Sequence, residues 1–160
     1  MSNEGTATDP ATVDFDAIKV QIEQAVPFNR YVGVELLEVD DGRAKARLRH
    51  ADELDNHVGT MHAAALFMVG EFAAAIAFVG AFVPHMEGIR FVARQVEIDY
   101  IEAAQGSVVA SGRFSTPVES VLEAIRTDGH TRTQAESEVR DGAGTLVATL
   151  AVTFDVRQAA

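Results

Sequence analysis

The 160-residue chain contains no cysteine and no tryptophan. The first absence excludes disulfides, thiolate nucleophiles and Cys-based zinc or iron–sulfur sites. Aromatic residues are only 7% of the chain, so a core must be packed mainly by Ala, Val, Leu, Ile and Phe. Cations are also few: 13 Lys and Arg stand against 24 Asp and Glu, a formal charge of -11. Broad binding to nucleic acid or to an anionic membrane needs exposed basic surface and is therefore not expected. Met1 to Asp14 has neither the basic start nor the apolar run of a secretory signal, so a cytoplasmic home is expected. The sequence shows no internal repeat, no GxGxxG, no phosphate-binding loop and no GxSxG elbow.

What is present fits one globular domain, long enough to bury roughly two-thirds of the surface an unfolded chain exposes. Residues 1–12 read as a flexible tail and 13–160 as the domain. Asp16, Ile18, Val20, Ile22, Ala25 and Val26 suit a short amphipathic helix stopped by Pro27. Val32 to Val39 reads as a strand, Asp40-Asp41-Gly42 as a hairpin turn and Arg43 to Arg49 as the returning strand. On that strand Arg43, Lys45, Arg47 and Arg49 share one face by period two. A phosphate-facing strip is one reading; a solvated face that discourages sheet aggregation is the stronger one. Arg90 and Arg94 are equally ambiguous.

The polar stretch Ala51 to Thr60 leads into an apolar run, Met61 to Val83, too long for a strand and rich in helix formers. Within it, Ala63 to Val83 carries a single charge over 21 residues, close to a membrane span. A charge in mid-span is costly in lipid, and strand-like segments follow, so a buried core helix is expected instead. Ala93 to Tyr100, Ser107 to Phe114, Val118 to Arg126, Thr133 to Arg140 and Thr145 to Val156 all read as strands, with turns at Ala104–Gly106, Asp128-Gly129 and Asp141–Gly144. A hairpin, one long apolar helix and then consecutive strands describe an α+β domain whose antiparallel sheet covers the helix.

Chemistry concentrates around that helix. Glu71 has Phe67, Met68, Ala74, Ala75 and Phe78 at helical spacing, and acids are almost never fully buried without a partner. Desolvation disfavours the charged form, which moves such a group toward the range of a general base. A carboxylate at a solvated gap, or one bound to a structural Arg, is the bland alternative. His62 falls at the helix start, where free N–H groups and the helix dipole favour an anion, so the Ala63 N–H is a candidate oxyanion donor. Asn56 and His57 add polar groups from the preceding loop. Nine residues separate His62 from Glu71, a rise of about 13 Å, too far for both to serve one carbon in one chain. If they share a site, one must come from a two-fold partner. No helix-face spacing of ligands surrounds His57 or His62, so no metal is expected.

The stretch from Asn56 through Gly59, His62-Ala63-Ala64 to Glu71 resembles the PaaI-type hotdog thioesterase pattern: Asn, Gly, His-Gly-Gly, then an acid nine residues after the His. The resemblance covers roughly residues 27–156 and implies the hotdog fold, an antiparallel sheet wrapped around one central helix. It implies hydrolysis of an acyl-CoA or related thioester, with Glu71 as base or nucleophile, the Ala63 N–H in the oxyanion hole, His62 orienting and Asn56 holding water or carbonyl. It also implies His57, Gly59, Ala64, Phe67 and Met68 along the substrate, no cofactor beyond the coenzyme A of the substrate, and a homodimer or a dimer of dimers, a homotetramer. Ala63 and Ala64 depart from the pattern's two glycines. A hotdog dehydratase or hydratase using His57 and Glu71, and a non-catalytic acyl-binding module, are the competing readings.

Overall fold

In the computed structural model, Arg43–Leu48 (β2) folds back antiparallel on Val34–Asp40 (β1) through Asp41 and Gly42. Gly42 adopts φ +66, the left-handed conformation a tight return requires. Residues 13–159 are described; the expected tail, residues 1–12, lies outside them. Ahead of the hairpin lie two helices, Phe15–Ala25 (α1), capped by the Asp14 carboxylate on the Ala17 N–H at 3.0 Å, and Pro27–Val32 (α2). Pro27 therefore starts a second helix as well as ending the first, since its missing N–H costs nothing at a first helical position. The strand expected from Val32 begins only after Gly33, at φ +87.

Ala63–Phe82 (α3) is the central helix, followed by a 3-10 segment, Val83–Gly88. By length and composition it could cross a membrane, but thirteen of its residues are buried against the protein's own sheet, which marks a core helix. The sheet continues with Ile89–Tyr100 (β3), Val108–Arg113 (β4), His130–Asp141 (β5) and Leu146–Gln158 (β6). Its six strands run antiparallel in the order β1-β2-β4-β5-β6-β3.

One expected strand is a helix. Val118–Asp128 (α4) places Val118, Val121, Leu122 and Ile125 at positions i, i+3, i+4 and i+7, and it buries Val121 and Ile125. The β-branched residues suggested a strand; the period is helical, and burial of that face decided the outcome. Gly129, at φ 76, is the helix C-cap, its N–H reaching Ile125 O at 2.8 Å, so Asp128-Gly129 is not a hairpin turn.

α3 packs on β2, β4, β5 and β6 and barely touches β3. Helix and sheet approach closely at Gly112, where a Cβ would collide with the Ala73 carbonyl. At the C-terminal end of α3, Phe78 stacks on Phe82 at 4.5 Å and meets Phe91, Phe114 and Phe154 within 5.3 Å, sealing that end of the core. The opposite end, where the helix begins, is left for polar loops. The cationic strip of β2 is a solvated face paired within the hairpin: Lys45 with Glu38 at 3.0 Å, Arg47 and Arg49 both with Glu35.

Candidate functional site

Three backbone bonds hold the loop into α3: Asn56 N–H to Thr60 O at 2.7 Å, His62 N–H to Leu54 O at 2.7 Å and Met61 N–H to Ala104 O at 3.2 Å. Inside it, the Asn56 side-chain oxygen accepts from the N–H groups of Val58 and Thr60 at 3.0 and 3.1 Å, while its amide donates to Thr60 Oγ1 at 2.8 Å. Asn56 thus organises the loop within its own chain. Gly59, at φ 75, supplies the left-handed residue that the turn needs. His57 is exposed and makes no hydrogen bond among the described residues.

His62 is the N-cap of α3. Its Nδ1 accepts the Ala64 N–H at 3.0 Å, and its carbonyl accepts from Ala65 and Leu66 at 2.9 and 3.2 Å. Nδ1 is thus the cap's acceptor, and Nε2 takes no part in the cap. The cap uses the Ala64 donor. The neighbouring Ala63 N–H makes no hydrogen bond among the described residues and stands free at the positive end of a 20-residue helix.

Glu71 lies two turns further along. It is half-buried, has no hydrogen bond or ion pair among the described residues, and desolvation by its surroundings raises its carboxyl above the ordinary range. Ala64, Phe67 and Met68 share its helix face, at offsets of seven, four and three residues, and Ala75 and Val79 continue the strip. Apart from the first turn, this is the one face of α3 the sheet does not fully cover. Beside it, Phe91, Val96 and Ile98 of β3 stay partly exposed although their register partners Val156, Val152 and Leu150 are buried. The single chain therefore brings Ala64, Phe67, Met68 and Glu71 onto one apolar face, and Asn56, His57, Gly59, His62 and Ala63 onto one loop and helix end. Within one chain the rise of about 13 Å still separates His62 from Glu71.

Two contacts were not foreseen. The Tyr100 hydroxyl donates to the Ala63 carbonyl at 3.2 Å, and buried Ser137 donates to the Gly70 carbonyl at 2.8 Å, next to Glu71. Both partners come from strands far along the chain, so no local pattern marks them. A groove of ≈ 750 Å³ runs among charged residues of the sheet such as Glu97, Glu136 and Arg43, and Glu71 does not line it.

A family model described as "Domain of unknown function (DUF4442)" matches residues 16–156. No curated protein matches the chain. Among solved structures, a Pseudomonas aeruginosa protein of unknown function, PA5026, described as a probable thioesterase, superposes with TM-score 0.77 at 18% identity, covering 92% of this chain and 97% of that one. The conserved protein PA5202 from the same organism gives TM-score 0.68 at 26% identity, covering 87% and 98%. PaaI of the phenylacetic acid degradation operon of E. coli gives 0.68 at 14%, covering 88% and 90%. The expected hotdog fold, shared with PaaI and the probable thioesterase, is the one observed.

Proposed function

From the premise that the chain belongs to the DUF4442 family, whose description assigns no activity, we propose that it hydrolyses an acyl thioester, an acyl-CoA or a close relative, to the free acid and thiol. The observation that carries this reading is that one helix holds both a desolvated Glu71 and, at its start, an Ala63 N–H, neither with a partner among the described residues. Ester-type hydrolysis needs a base or nucleophile near neutrality and a fixed donor where negative charge develops. Glu71 supplies the first, by taking a proton from water or by attacking the carbonyl carbon. Ala63 N–H supplies the second, and His62 holds the helix start in place. The apolar strip of Ala64, Phe67 and Met68 suits an acyl group. The reading uses no metal and no cofactor other than the coenzyme A of the substrate, and a cytoplasmic location is part of the proposal.

The two halves act together when a second copy brings its Asn56–Ala63 segment to this Glu71, giving two sites per dimer. β3 offers the surface for that pairing: a 12-residue strand that pairs, among the described residues, with β6 alone, with Val92 63% exposed. Arg90 and Arg94 lie toward its start and Glu97 and Asp99 toward its end, so antiparallel pairing of two β3 strands sets opposite charges side by side. A dimer of dimers extends the same assembly.

A thiol-release screen over short, long and aromatic acyl-CoAs tests the activity, with Glu71→Gln as the control. Loss of roughly 100-fold or more in the variant is expected. Equal rates for parent and variant would sink the assignment. Reversible hydration of an enoyl thioester without thiol release would select the dehydratase reading, in which exposed His57 acts with Glu71.

A further inference from the structure

The irregular loop assembles a group of metal-ligating side chains that no helix period reveals. We propose that His50, Asp52 and Asp55 form a site for a divalent transition-metal ion of the zinc(II) class, at the root of the loop that carries Asn56 and His62. This is separate from the thioesterase reading and does not depend on it. One ligand atom from each of the three side chains lies within 4.8 Å of the others. His50 Nε2 already meets Asp55 Oδ1 at 3.0 Å. The spacing His-x-Asp-x-x-Asp wraps around a single 3-10 turn, Asp52–Leu54, and that is why no helix period shows it.

The donor set sets the class of ion. An imidazole nitrogen with two carboxylates suits borderline ions such as zinc(II), cobalt(II) and manganese(II); calcium and magnesium prefer all-oxygen shells, and copper(I) prefers sulfur. Charge balance points the same way. No Lys or Arg among the described residues pairs with Asp52 or Asp55, so two carboxylates converge with only an imidazole between them. A dication neutralises that pair, and water completes its coordination.

The position gives the ion something to hold. The His50 N–H donates to Ser107 Oγ at 2.9 Å, Asp55 bridges to Met61, and Leu54 O accepts from His62 N–H at 2.7 Å. A cation across His50, Asp52 and Asp55 ties the end of β2 to both sides of the loop that presents the start of α3.

The test is isothermal titration of the full chain with zinc chloride, alongside thermal melts and the visible absorption of the cobalt(II) form. One saturable equivalent per chain is expected, with a rise in melting temperature, and roughly tenfold or greater weakening in both Asp52→Asn and Asp55→Asn. Asp52→Asn decides against a plain His50–Asp55 ion pair, because it leaves that pair intact and removes only a ligand. Its side chain makes no hydrogen bond among the described residues, so its metal-free melting temperature should match the parent's. Absence of saturable binding into the millimolar range overturns the proposal. So does binding that both Asp variants retain unchanged, which would place the ion on other histidines.

Discussion

On the proposed thioesterase reading, replacing Glu71 by Gln should lower activity and strengthen the fold at the same time. The carboxyl is pushed above its ordinary range by desolvation, and no partner among the described residues offsets it. A carboxyl whose folded pKa is raised stabilises the fold only where it is protonated. That contribution is present below the unfolded value and is lost as pH rises through the folded one. At pH 7.5 the ionised group therefore costs stability that an uncharged, isosteric amide does not. Relief of one partly buried charge of this kind is worth about 1 kcal/mol. For a domain of this size that is about 3 °C in melting temperature. On the catalytic side, loss of a general base costs roughly 100-fold or more, at least about 2.7 kcal/mol of barrier. Thermal melts of parent and variant from pH 3.5 to 8, beside thiol release at pH 7.5, read both effects. The stability difference should be largest at high pH and shrink once Glu71 is protonated in both folded and unfolded chains. A variant less stable than the parent at pH 7.5, or a difference that does not change with pH, would refute the claim that Glu71 is an unpaired, desolvated acid.

Other outcomes follow from single contacts. His62→Ala removes the Ala64 cap and should cost about 1 kcal/mol in a denaturant melt, while His62→Asn, which can also cap, should recover most of it. Gly112→Ala forces the helix off the sheet against the Ala73 carbonyl and should destabilise by about 1–3 kcal/mol; a neutral result would mean that α3 sits further from β4. Gly129→Ala must hold the left-handed C-cap of α4 and should lose about 1 kcal/mol. Ser137→Ala deletes a buried bond to the Gly70 carbonyl, for about 1 kcal/mol by chemical denaturation.

Much of the scaffold was legible because its signals are local. Gly42 marked the hairpin, the long apolar run marked the core helix, and the alternation in Thr133 to Arg140 marked a strand. Where the sequence misled, two local signals competed. In Val118 to Arg126 the β-branched content outweighed a helical period of only two to three turns, and packing of Val121 and Ile125 on the core settled it. Pro27 could end a helix or begin one, and both outcomes occurred.

The site divides along the same line. Glu71, His62 and Ala63 were visible because their roles depend on helix position: an acid on an apolar face, a cap, and the donor beside it. The Asn56 side chain turned inward to its own loop, a fact set by Thr60 and Val58 that residue type does not reveal. Sequence by itself determined which elements exist and which side chains share a face, because helix and strand periods are properties of the backbone. Tertiary structure alone decided which face stays uncovered. α3 lies over β2, β4, β5 and β6 and only skirts β3, which leaves Glu71 without a partner among the described residues, while the same packing sets Tyr100 of β3 and Ser137 of β5 beside the carbonyls they meet.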